Sequence, residues 1–138
     1  STCSIAVYVP EEKAMFASDA GGIPFGDKIM TSANSNFDNY QESLKKMASY
    51  EIEVYLAEHF GARVGEEGRN YLSRSMEFAD EFRALLEESL KRIKNLNKCT
   101  EEITDRLMAE ASENFFPRDV LFIVVGQMLK FLSKQIAF

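Results

Sequence analysis

The chain opens with alternation. In "SIAVYVP" (residues 4–10) Ile5, Val7 and Val9 share one face of an extended segment, and "AMFAS" (14–18) has the composition of a returning strand. "PEEK" between them reads as a turn, with Pro10 setting φ at its entry. Together they predict a β-hairpin over 4–17. Residues 19–35 are rich in Gly, Ser, Asn and Asp and read as a loop, long enough that a function is expected of it. "NFDNYQESLKKMASY" sets Phe37, Tyr40, Leu44 and Met47 at helical spacing, which predicts a helix over 36–49 with Ser35 or Asn36 as its N-cap. "EIEVYLAEH" then alternates Ile52, Val54 and Leu56, a strand near 52–57 that runs out at His59, with Gly61 soon after.

The pattern changes near residue 66. From Glu66 to Asn97, Leu72, Met76, Ala79, Phe82, Leu86, Leu90 and Ile93 recur at steps of three and four, the stripe of one long helix over 67–97. Thr100 is the expected cap of a second helix, 101–115, with Glu101 and Glu102 in its first turn and Ile103, Leu107, Ala111 and Phe115 as its stripe. Pro117 suits the first turn of a third, 118–136. That helix has apolar residues on more than one face: Leu121, Val125, Met128 and Leu132 in one row, Phe122 and Leu129 in another. The expected organisation is a mixed α/β part over 1–66 and a helical C-terminal extension over 67–138.

Composition narrows the function classes. The 138 residues suffice for a core of their own. The net charge of −6 argues against a nucleic-acid partner, which calls for a basic footprint. The most apolar stretch, "VLFIVVGQMLKFL" (120–132), is too short to span a bilayer, which takes about 20 residues, so no membrane partner is expected. The first ten residues lack the charged leader and apolar run of a signal peptide. Cys3 and Cys99 are too few for a disulfide framework and read as reduced thiols of a cytoplasmic protein, a bridge between them being the alternative should their segments meet.

Two positions carry candidate chemistry. Asp19 closes one strand, His59 closes another, and glycine follows each. If the strands are neighbours and run the same way, both side chains emerge at one edge. Carboxylate and imidazole are good ligands for zinc or iron, and glycine permits close backbone approach. By chemistry alone one aspartate and one histidine are too few for a metal site, and the residues by themselves favour a turn aspartate and a lone histidine. Phe25, Ile29 and Met30 lie where they could line a pocket or pack beneath the loop. Arg63 reads as a surface charge, and Tyr40, Tyr50, Tyr55 and Tyr71 as half-buried packing residues. Glu87 with Lys91 and Glu88 with Arg92 form i, i+4 pairs on a solvated face.

The order of these features resembles a known family. "TCSIAVYVPEEKAMFASDAGG", followed some forty residues later by "YLAEHFGARVGEEG", is similar to the second half of the metallo-β-lactamase fold. "TEEITDRL" (100–107) resembles a helix start of the glyoxalase II-like branch. The resemblance covers residues 1–68. It implies a partial αββα sandwich, here a hairpin plus one further strand, followed by a helical tail. It implies that Asp19 is the carboxylate bridging two divalent metal ions and His59 the last histidine ligand of the second. Zinc is the default ion, and iron or manganese suits the same ligands. The implied activity is metal-dependent hydrolysis of an ester, thioester or lactone-type bond in a small-molecule substrate, through a metal-bound hydroxide. Ser18 stands where relatives more often have glycine.

The family's His-x-His-x-Asp-His motif is absent, and His59 is the chain's only histidine. The expectation is therefore the C-terminal part of a longer enzyme, with no catalytic metal pair and no activity in these 138 residues alone. A homo-oligomer through the C-terminal helices is also expected, since an apolar helix and a half-sandwich both need cover. The competing possibility is a helical binding or oligomerisation module, or a relative that kept part of the fold without the chemistry.

Overall fold

The computed structural model describes residues 4–25, 27–59, 61–111 and 115–136. The hairpin forms where the alternation put it. Strands β1 (Val7–Val9) and β2 (Ala14–Phe16) pair antiparallel, Val7 opposite Phe16 and Val9 opposite Ala14. The turn between them closes with Lys13 at φ 48, its N–H donating to the Pro10 carbonyl at 3.3 Å. Lys13 Nζ also reaches Glu51 Oε1 at 2.9 Å, and this bond raises the Lys13 pKa above its usual value.

The expected loop over 19–35 is largely structured, which corrects the reading from composition. A single 3-10 turn (Ser18–Gly21) leads into a second hairpin, β3 (Ile23–Phe25) with β4 (Lys28–Met30). Ile29 and Met30 are buried in β4 as core residues. The Phe25 side chain and Cys3 lie outside the described residues. Helix α1 (Phe37–Ala48) begins directly after Asn36 and buries Phe37, Tyr40, Leu44 and Met47, the four positions its spacing singled out.

Strand β5 (Val54–Leu56) then lies parallel to β2, Met15 opposite Tyr55 and Phe16 opposite Leu56. Parallel neighbours require a crossover, and the second hairpin with α1 supplies it. A further short strand, β6 (Ala62–Val64), pairs antiparallel with β5 and holds Arg63, so the sheet has the order β1-β2-β5-β6. This strand was not foreseen. It is three residues long, and Gly61 and Gly65 flank it at positive φ. The sheet buries Met15 and Tyr55 on one face, while Val7, Phe16 and Val64 stand exposed on the other.

Three helices complete the chain: α2 (Gly65–Ile93), α3 (Leu96–Glu110) and α4 (Arg118–Ser133). Helix α3 starts five residues earlier than Thr100 suggested. Asn95 is the true N-cap, its side-chain oxygen accepting from the Lys98 N–H at 3.0 Å. Thr100 is instead buried inside the helix, its hydroxyl donating to the Leu96 carbonyl at 2.8 Å, so "TEEITDRL" is helix interior rather than a start. Cys99 is a buried free thiol facing the Ser89 carbonyl at 3.5 Å. Helix α4 packs on α3 and buries Leu121, Val125, Met128, Leu129 and Leu132. On α2, Glu88 pairs with Arg92 as expected, and Glu87 pairs with Arg83 at 3.0 Å.

Two compact units result. One comprises Ser1–Ala33 with Asp38–Asp80, the other Asn34–Phe37 with Glu81–Phe138. The sheet, both hairpins and every residue of the candidate site lie in the first. Among the described residues no helix is long and apolar enough to cross a membrane.

Candidate metal centre

Two parallel neighbours end at the same sheet edge, so whatever follows them in sequence is brought together. Beyond Phe16 the ladder continues for one bond, the Ala17 N–H donating to the Leu56 carbonyl at 3.2 Å. Ser18 then takes φ 49, a left-handed conformation uncommon outside glycine, and turns the chain out of the sheet. Asp19 sits on the resulting 3-10 turn. Three residues after Leu56, His59 arrives from the other strand, and its Nδ1 lies 3.0 Å from Asp19 Oδ1. With Asp19 ionised the carboxylate only accepts, and the hydrogen bond then requires the ring proton on Nδ1. The structure thus brings together the two residues singled out in the sequence, forty positions apart.

A third residue able to offer a ligand atom was missed. Glu58 joins Asp19 and His59 in a group whose ligand atoms all lie within 4.8 Å of one another. Glu58 Oε2 accepts from Ser18 Oγ at 2.7 Å. The signal was present as an acidic residue directly before the histidine, but a glutamate in "LAEH" has no period or motif to distinguish it from a solvated charge.

The turn that carries Asp19 is fixed from below by its own carbonyls. Asp19 O accepts from Ser32 Oγ, Gly21 O from Ser75 Oγ at 2.7 Å, and Gly22 O from Tyr71 Oη at 3.2 Å. Tyr71 and Ser75 are buried one turn apart on α2. Tyr71 stacks on Tyr55 with ring centroids 3.9 Å apart, and the Tyr55 hydroxyl lies against Gly21, where a Cβ would come within 1.9 Å of it. Gly22 is at φ 89. The "GG" after Asp19 is therefore needed twice, once for close approach and once for backbone conformation. Burial pushes the phenols of Tyr40, Tyr55 and Tyr71 up from the usual tyrosine value, with the Asp19 charge adding to it at Tyr40 and Tyr55. These three are core residues, more deeply buried than their sequence positions suggested, while Tyr50 is exposed.

The donor set suits a divalent cation. Asp19 and His59, 3.0 Å apart, are a carboxylate and an imidazole, side chains of the types that bind divalent cations. Carboxylate oxygen with imidazole nitrogen fits zinc, iron or manganese alike. Among the described residues these three donors are the whole set, fewer than a pair of ions requires.

No protein-family model matches the chain, and no curated protein matches it. Among solved structures it is similar to a metallo-beta-lactamase family protein from Thermus thermophilus, with a TM-score of 0.62 and 20% sequence identity. The match covers 94% of this chain and 40% of that one. The chain therefore has part of the metallo-β-lactamase fold, and it spans two fifths of the length of that protein.

Proposed function

We propose that this chain is part of a metal-dependent hydrolase in which Asp19 and His59 hold divalent cations, zinc by default. The observation that carries this reading is the 3.0 Å approach of Asp19 and His59 at the shared end of two parallel strands. The fold likeness supports the same superfamily. Cations bound there would supply Lewis acidity and lower the pKa of a bound water. The chain's own residues do the rest. The Asp19 carboxylate offers two oxygens, so it is the residue suited to bridge. His59 binds at a ring nitrogen and gives up the Nδ1 proton if that nitrogen is used, which makes cation binding proton-coupled. Ser32, Ser75 and Tyr71 hold the turn backbone, so that Asp19 is positioned before any ion arrives. The remaining ligands and the substrate pocket belong to the longer protein, and an ester, thioester or lactone-type bond is the substrate class.

Metal analysis and turnover in the full-length protein test this. Asp19→Ala is expected to lower both metal content and rate, and His59→Ala to weaken mainly one ion. Unchanged occupancy in both variants would remove the assignment. These 138 residues alone are expected to hold no catalytic pair and to turn over neither a thioester nor a lactone.

A further inference from the structure

The sequence neighbours of the two proposed ligands are themselves joined. Ser18 precedes Asp19, Glu58 precedes His59, and Ser18 Oγ donates to Glu58 Oε2 at 2.7 Å alongside the 3.0 Å contact between Asp19 and His59. The two loops leaving β2 and β5 are thus tied twice, at consecutive positions. Ser18 is also the residue at φ 49, where glycine would sit without strain. A serine there costs conformational energy, and the hydroxyl that glycine lacks makes a bond across to the other loop. We infer that Ser18 and Glu58 are positioning residues that set the separation of Asp19 and His59 for a divalent cation, Glu58 acting through Ser18 rather than as a ligand. The inference rests on the proposed metal-binding reading of Asp19 and His59.

Two readouts test it. The first needs no metal. His59 is the only histidine, so its ring nitrogens give a single pair of NMR signals. On the alkaline plateau of the ring signals, the wild type is expected to show the Nδ1-protonated tautomer imposed by Asp19. Ser18→Ala and Glu58→Ala are each expected to move the ring toward the solvent mixture, and the double variant no further than either. Glu58→Gln keeps an oxygen acceptor for the serine and is expected to restore the wild-type spectrum. The second readout is Co²⁺ titration of the full-length protein, where loss of either residue is expected to weaken affinity and Glu58→Gln to rescue it.

Ring spectra and Co²⁺ affinity unchanged in Ser18→Ala and Glu58→Ala would overturn the positioning role while leaving the Asp19–His59 reading intact. If Glu58→Gln kept the wild-type ring spectrum yet lost Co²⁺ affinity, Glu58 would be a ligand and the inference would fall. Asp19→Asn with undiminished Co²⁺ affinity would instead sink the metal-binding reading, and the inference with it.

Discussion

At the scale of single residues, the meeting of Asp19 and His59 at one sheet edge was legible because each follows a recognisable apolar run and is itself followed by glycine. Their partners were not. Ser75 and Tyr71 lie about fifty positions after the turn they support, on a helix where they read as routine stripe neighbours. Only the folded chain shows that Gly21 is empty because Tyr55 fills its side-chain space. Gly21→Ala should therefore overpack the core and cost about 1–3 kcal/mol, read as a lower denaturant midpoint at unchanged m. The Tyr55 hydroxyl is buried with no hydrogen-bond partner among the described residues. Tyr55→Phe should thus be neutral or stabilising, and it should relieve part of the Gly21→Ala loss in a double-mutant cycle. A full additive loss would mean that the backbone, not the tyrosine, rejects the methyl group. The three buried phenols also predict a pH limit. Their folded pKa values lie above the unfolded tyrosine value near 10. Their contribution to stability is complete below that value and is lost as pH rises toward the folded values. Absorbance at alkaline pH should show three of the five tyrosines ionising together with the loss of circular dichroism, not before it.

At the scale of elements, long periodic segments were read well and short ones poorly, for a physical reason. A helix such as α1 repeats its apolar stripe over three turns, so its burial is written several times. Strands of three residues, such as β6 and the β3–β4 pair, offer one or two apolar positions each, and pairing with neighbours decides them. The second hairpin did leave a trace: Gly26-Asp27 between "IPF" and "KIM" is a two-residue hairpin pattern. It was masked by Pro24 and by the surrounding Gly and Ser. The start of α3 failed differently. Thr100 followed by two glutamates is a good capping pattern, and it lost to Asn95, whose side chain bonds the free Lys98 N–H five residues earlier. Asn95→Ala should therefore cost about 0.5–2 kcal/mol in thermal or denaturant unfolding. Thr100→Val should act through the buried pair it makes with the Leu96 carbonyl, without shortening the helix. Secondary chemical shifts that began α3 at residue 101 in Asn95→Ala would confirm the competition between the two caps, and shifts that left the wild-type start unmoved would show that the cap bond does not set it.

At the scale of the whole molecule, the sheet has one satisfied face and one open one. Strand alternation sends Met15 and Tyr55 to the buried side. The same alternation sends Val7, Phe16, Leu56 and Ala62 to the other, with Val9, Ala14, Val54 and Val64 in the next row. Eight positions across four strands are apolar on that side, yet Val7, Phe16 and Val64 remain 52%, 47% and 62% exposed. A sheet face with this many apolar positions is suited to packing beneath a second layer. On α4, by contrast, the row of Leu121, Val125, Met128 and Leu132 is fully buried, and Val120 and Ile123 are what it leaves exposed. Self-association of these 138 residues should therefore run through the open sheet face more than through the C-terminal helices. Light scattering at micromolar concentration is expected to report a dimer or larger species. Replacing Val7, Phe16 and Val64 together with Thr keeps strand propensity while making the face polar, and should shift the mass to that of a monomer. Ile123→Ser should leave it unchanged. If Ile123→Ser produced the monomer instead, the helices would be the contact. A wild-type chain that scattered as a monomer would mean that the exposed face tolerates water without a partner, and association should then be abandoned.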